Sequence, residues 1–320
     1  MERLFTVKTF KNGLKILKAA FTGFINDLAL KYSASLAYYT IFSLGPLMLL
    51  LISLAGIFLG KDAVQGKVFH EINGIVGNEA AQQIQDIIRR LEMSGKSTIS
   101  VIIGIFTLIV GATTVFAEIQ ESINIIWQVK AKPKKGWIKL LKNRLLSVSM
   151  IVTLGFLLLV SFVINGVLLA LSDRLKAFLP DVTVILFNIL DIAVSFIVTA
   201  ILFGVIYKVL PDTKIRWKDV RSGAIFTAVL FMIGRFLIGL YIEKTGGGSA
   251  FGAAGSLIVI LLWIYYAAAI LYFGAEFTRA YADFYGIKIQ PAEFAVHVEQ
   301  KETEREVEAI PPKSETTSTS

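Results

Sequence analysis

Six predominantly apolar runs constrain this chain more than any other feature: Ala34–Leu59, Thr98–Ala117, Leu145–Leu171, Val182–Leu210, Ser222–Tyr241 and Ala250–Phe277. A helix rising 1.5 Å per residue needs roughly 20 such residues to cross a hydrocarbon core of about 30 Å, and each run reaches that length. Strands of a membrane barrel are about 10 residues long with strict in/out alternation, so a barrel is excluded. The expected fold is all-α: a polytopic membrane helix bundle of six transmembrane helices over 34–285. A cytoplasmic basic amphipathic segment is expected to precede it (1–33) and a disordered cytoplasmic tail to follow it (286–320). The first run does not read as a cleaved signal, because 33 residues precede it, it is longer than an h-region and no A-x-A-like site follows.

Composition agrees, with 55% hydrophobic and 18% charged residues and a mean hydropathy of +0.68. The chain has no cysteine, which excludes disulfide frameworks, thiolate metal sites and Cys nucleophiles. Its net charge of +8 is read as orienting charge. Lys and Arg concentrate in the N-terminal segment, in the connection from Lys130 to Arg144 and in that from Lys214 to Arg221. The alternate connections hold fewer, and those between Lys61 and Lys96 are offset by carboxylates. Both termini are therefore expected in the cytoplasm, as an even number of spans requires.

The connections carry their own patterns. Lys8, Lys11, Lys15 and Lys18 recur at helical spacing beside Phe10, Leu14, Leu17 and Phe21, the pattern of a basic amphipathic helix lying on anionic head groups. In the Lys61–Ser97 loop, Asn78 reads as an N-cap before Ala81, Ile84, Ile87, Ile88 and Leu91, which predicts an outer helix capping the bundle. After His297 the tail turns Glu-, Lys-, Ser- and Thr-rich, the composition of a disordered segment.

Polar groups inside the runs are functional candidates, because a charge at mid-bilayer costs about 2.5 to 3.5 kcal/mol. Asn188, Asp191, Ser195 and Thr199 share one face of the fourth span, and Arg235 of the fifth falls at a similar depth. With Asn165 they form an expected outer polar cluster in which Asp191 and Arg235 pair. In the first span, ASLAYYTIFSLGPLMLLLISLAG, the inner half carries Tyr38, Tyr39, Ser43 and Pro46, and Glu276 closes the sixth span at the same level. Pro46 removes the bond to the carbonyl of Phe42 and predicts a kink. These five residues are expected to line an inner vestibule. The competing reading is structural, since interhelical hydrogen bonds commonly hold membrane bundles together, and Gly104, Gly111, Gly234, Gly239 and Gly274 read as close-packing positions.

Several chemistries have no carrier. The two histidines, His70 and His297, lie outside the runs, so no His-rich metal site forms in the membrane, and no cofactor is expected. The run GGGSAFGAAGS lacks the Gly-Lys-Ser/Thr ending of a P-loop, and G-x-S-x-G and H-E-x-x-H are missing. No enzymatic activity is expected.

The stretches ASLAYYTIFSLGPLMLLL, EIQESINIIWQV, YKVLPDTKIRWKDVRSGAIFTA and FGAAGSLIVILLWIYYAAAILYFGAEFTRAYA together resemble the YihY or BrkB-type bacterial inner-membrane proteins over roughly residues 20 to 285. The resemblance implies a six-helix inner-membrane fold. It marks Tyr38, Tyr39, Ser43, Pro46, Asn124, Trp127, Pro211, Trp217, Gly223, Gly252, Gly255, Tyr265, Tyr266, Gly274 and Glu276 as family positions. Members have been labelled ribonuclease BN or virulence factors, and some relatives have been suggested to move lipids. The nuclease label fits poorly, since the cytoplasmic segments offer basic residues without metal ligands or an acid and base pair. The expected function is that of a transporter or flippase-like translocator of a lipid or amphipathic envelope component, with membrane lipids as partners and no nucleic acid. The alternative is a non-transporting scaffold of envelope machinery.

Overall fold

A computed structural model describes residues 2–43, 113–132, 180–245 and 255–299, with isolated positions between 69 and 85. The described chain is mostly helical. Helix α1 (Glu2–Asn26) ends where Leu28 takes a left-handed backbone (φ 55°), a conformation disfavoured for a branched side chain and therefore a sharp stop. The chain resumes as α2, described over 29–43, and Ser33 Oγ donates to the carbonyl of Ala29 at 2.8 Å. Helix α3 is described over 113–126 and leads through a Trp127–Gln128 turn, with Gln128 at φ 55°, into strand β1 (Val129–Ala131).

Three long helices follow: α4 (Pro180–Val209), α5 (Trp217–Thr245) and α6 (Gly255–Phe284). Proline opens α4, where its missing N–H costs nothing. Pro211 follows its other end, where a residue without an N–H and with fixed φ does not continue the helix. Ile185–Val209, Trp217–Ile238 and Leu257–Phe284 are long and apolar enough to cross a membrane. Their large apolar side chains are extensively exposed: Ile185, Ile189, Ile192 and Ile197 on α4, and Ile225, Val229, Ile233 and Phe236 on α5. In water such faces would aggregate, whereas in lipid they are the solvated surface.

Helix α5 packs between α4 and α6, and α1 crosses the other side of α6. The core they share includes Phe24, Ile123, Trp127, Tyr207, Leu210, Val220, Ala228, Leu271 and Tyr272. The C-terminal ends of α3, α4 and α6 meet the N-terminal end of α5 at one end of the bundle. There β2 (Thr213–Lys214) pairs antiparallel with β3 (Gln290–Pro291), and β1 pairs antiparallel with β4 (Ala295–His297).

Helices α4, α5 and α6 overlap the expected spans at 182–210, 222–241 and 250–277, with α5 beginning earlier and α6 ending later. Those at 34–59, 98–117 and 145–171, and the helix expected after Asn78, lie largely outside the described residues. One boundary needs correction. The tail set at 286 instead carries β3 and β4, and Lys132 N and Val298 N donate to the carbonyls of Phe294 and Gln128 at 2.7 and 2.9 Å. Composition misses this because pairing of two or three residues satisfies backbone groups and needs no apolar periodicity.

Candidate functional site

Helix α6 presents two faces. Toward α5, Gly274 admits Thr227 so closely that a Cβ there would lie 2.9 Å from the Thr227 Cβ, and Gly223 admits Thr278 at the same 2.9 Å. The arrangement is reciprocal, because Gly-x-x-x-Thr occurs on both helices and they run antiparallel. Each threonine returns its hydroxyl to the carbonyl of its own helix's glycine at 2.7 Å, so no polar group is stranded in the seam. Tyr207 of α4 donates to the carbonyl of Leu271 at 2.7 Å and lies 3.0 Å from Thr227 Oγ1, which ties the third helix in.

A second polar knot closes the strand-bearing end. The buried Asp212 carboxylate accepts from Gln120 Nε2 at 3.1 Å and Asn124 Nδ2 at 2.9 Å, and its backbone N–H donates to Asn124 Oδ1 at 2.8 Å. These groups partner one another, so the knot holds α3 to the α4–α5 turn. Trp127 Nε1 donates to the carbonyl of Ala275 at 3.1 Å, anchoring α3 to α6.

The opposite face of α6 differs. Between α1 and α6 lies a cavity of about 520 Å³ lined by Lys15, Asn26, Asp27, Glu276, Arg279 and Asp283 among others. Ile16, Ala20 and Phe24, one face of α1, are buried, and Phe24 meets Phe273 edge-on at 5.4 Å. Gly23 lies on the same side, so close that a Cβ there would stand 3.0 Å from the Glu276 Cδ. Glu276 is 2% exposed, and its Oε1 has no hydrogen-bond partner. Arg279 Nη1 is committed elsewhere, to Asp27 Oδ2 at 3.0 Å and the carbonyl of Ile126 at 2.6 Å. Asp283 lies farther out, 3.9 Å from Arg279 Nε and largely exposed. Beside this region, burial first and then the charges of Asp27, Glu121 and Glu118 raise the Tyr32 phenol above its ordinary range.

Of the residues expected in an inner vestibule, Glu276 lines this cavity and Tyr38, Tyr39 and Ser43 do not. Tyr38 and Tyr39 are exposed on α2, with Tyr38 against Phe42 at 4.9 Å, and Ser43 is buried. Pro46, Asn165, Gly252 and the side chains of Asn188 and Asp191 lie outside the described residues, so the expected Asp191–Arg235 pair does too. Ser195 is half-buried, and Arg235 is exposed beside Ile233 and Phe236. Among the family positions, Asn124, Trp127, Gly223 and Gly274 form the contacts described above, and Pro211 makes the α4–α5 turn. Tyr266 packs against Gly234, Tyr265 is half-buried, Trp217 is exposed at the start of α5, and Gly255 opens α6.

Sequence reasoning missed Asp27, Arg279, Asp212, Gln120 and Gly23. The first two flank expected spans, where charged residues are ordinary, and only the crossing of α1 over α6 brings them together. The signal for Asp212 was its place beside Pro211 in a span-ending turn.

A family model described as Virulence factor BrkB matches residues 20–295. Curated relatives include a UPF0761 membrane protein of Verminephrobacter eiseniae, 28% identical over 77% of this chain and 57% of the relative. Another, of Pseudomonas aeruginosa, is 27% identical over 83% of this chain and 62% of the relative. A third, of Pseudoalteromonas atlantica, is 25% identical over 87% of this chain and 86% of the relative. The chain thus spans about three fifths of the first two relatives. No solved structure matches.

Proposed function

Because the chain belongs to the Virulence factor BrkB family and is a membrane protein, we propose that it acts as a translocator of a lipid or amphipathic envelope component in the bacterial cytoplasmic membrane. In this reading six helices span the bilayer, both termini and the strand-bearing end face the cytoplasm, and α1 rests on anionic head groups. The excess of Lys and Arg in the N-terminal segment and at Lys214–Arg221 supports that orientation.

The observation that carries the reading is Glu276: a carboxyl group 2% exposed, one oxygen unpartnered, facing a cavity near the end of a spanning helix. A carboxyl kept only for packing would be satisfied, as Asp212 is, because a stranded buried acceptor costs about 1–3 kcal/mol. We read the site as one of binding and passage and not of catalysis. Its side chains supply charge and hydrogen bonds to a head group, while the apolar flanks of α4 to α6 accommodate acyl chains.

The test is reconstitution of the full chain in liposomes carrying an acyl-labelled fluorescent phospholipid, read by accessibility of the label to a membrane-impermeant quencher. Translocation predicts accessibility above that of empty liposomes, reduced in Glu276→Gln. A folded protein giving no excess overturns the reading and favours a scaffold.

A further inference from the structure

The cavity between α1 and α6 has a charge pattern that selects among head groups. It is lined by three carboxylates, Asp27, Glu276 and Asp283, against two cations, Lys15 and Arg279. The Nη1 of Arg279 is already engaged by Asp27 and the Ile126 carbonyl. Deepest lies Glu276, nearly fully buried, with Oε1 lacking any donor. The unmet requirement at this point is an N–H or O–H donor, and the carboxyl groups of Asp27 and Asp283 in the same lining favour a cationic one. Lys15 stands on the exposed face of α1, about two turns before the Gly23 that abuts the buried carboxyl, where an anionic group of the same ligand would meet it.

We propose that this cavity binds the head group of an aminophospholipid, its primary ammonium donating to Glu276 Oε1 and its phosphate lying toward Lys15. The inference names the substrate class of the translocator reading and rests on it for meaning, but its binding test does not depend on transport. A lipid is favoured over a soluble amine by position. The cavity is bounded by the last two turns of a membrane-spanning helix, the exposed Phe284 is part of its lining, and Leu14, Leu17 and Phe21 form an exposed apolar stripe on α1. A primary ammonium is favoured over a quaternary one because only the former donates a hydrogen bond, and charge-assisted bonds are the strong ones. The phosphate alone does not discriminate, since every phospholipid carries one.

The test measures lipid retained by the purified full chain in detergent, by native mass spectrometry, with phosphatidylethanolamine, phosphatidylcholine and phosphatidylglycerol of identical acyl chains. The expected result is a preference of about ten-fold or more for phosphatidylethanolamine, the value of one charge-assisted hydrogen bond, abolished in Glu276→Gln. Gly23→Ala is the second variant. It enlarges only the α1 surface that abuts the Glu276 carboxyl, so it too is expected to lose the preference, and it decides the matter if Glu276→Gln does not fold. Equal retention of the three lipids by the unaltered chain, or a preference that survives in a folded variant, overturns the proposal. Displacement by free phosphoethanolamine as effective as by the lipid overturns the lipid assignment. If the preference holds but vesicles show no translocation, the head-group site stands and the translocator reading fails.

Discussion

The two sides of α6 handle polar groups in opposite ways. Toward α5, Gly274 and Thr278 mesh with Thr227 and Gly223, and both hydroxyls find a carbonyl on their own helix. Toward α1, Glu276 stands beside a cavity with an oxygen unpaired, and Arg279 reaches across to Asp27. One face is closed and satisfied, the other open and incomplete. Positions 274 and 278 share a face because they are four apart, while 276 is turned about 200° away at 100° per residue. A single helix therefore separates packing from binding by its own periodicity, without needing a separate element for each.

Substitution is expected to cost most at the seam. Gly274→Val places branched carbons where Thr227 already stands, and overpacking of this kind costs on the order of 3 kcal/mol. Expression with loss of the monodisperse peak in fluorescence-detected size exclusion is the expected outcome, and a normal thermal transition would show the seam to be loose. Gly274→Ala is milder, and pairing it with Thr227→Ala should recover part of the loss.

Asp212→Ala comes next. It removes the acceptor of Gln120 and Asn124 and leaves both amides buried, a loss of about 2–3 kcal/mol in unfolding stability. Asp212→Asn, which keeps one acceptor oxygen, should lose less, and equal losses would show that charge rather than geometry is what the knot requires.

At the cavity the expectation reverses. Glu276→Gln should shift thermal stability by no more than about 1 kcal/mol, because the Oε1 it replaces makes no hydrogen bond, while the lipid readouts fall. A large loss of stability with lipid handling intact would make Glu276 a packing residue and erase the contrast between the two faces.

The smallest effect, and the only gain, is expected at Gly13. No atom lies within 4 Å of a Cβ placed there, so Gly13→Ala should stabilise α1 by up to about 1 kcal/mol through helix propensity alone. A loss on thermal unfolding would mean that α1 needs flexibility at that point.

Much of the fold was legible from runs of apolar residues. Val182–Leu210, Ser222–Tyr241 and Ala250–Phe277 correspond to α4, α5 and α6 with modest shifts at their ends. The start of α5 falls before its expected span because Trp217, Lys218 and Arg221 are polar or interfacial residues that remain helical, and the end of α6 falls after its own because Arg279 interrupts the apolar run while continuing the helix. Glu276 was legible as a costly residue in an apolar run. Its neighbours were not. Tyr38, Tyr39 and Ser43 were grouped with it on depth alone, yet depth says nothing of azimuth or of which helix lies alongside, and the cavity is lined from α1 instead. The tail shows the converse. Gln290–Pro291 and Ala295–His297 have no periodicity to read, and their order comes from strands distant in the chain.

Apolar run length was enough to read a membrane chain and the course of α4, α5 and α6, because backbone hydrogen bonding in hydrocarbon and the length of a helix leave no other solution, and Gly234 and Gly274 were legible as packing positions. The tertiary structure alone decided that Asp27 meets Arg279, that Asp212 is clasped by α3, and that the open valence of Glu276 faces α1. These depend on which helix crosses which and at what rotation, and that is set by the shapes of glycine and threonine in a seam rather than by the hydropathy of any one segment.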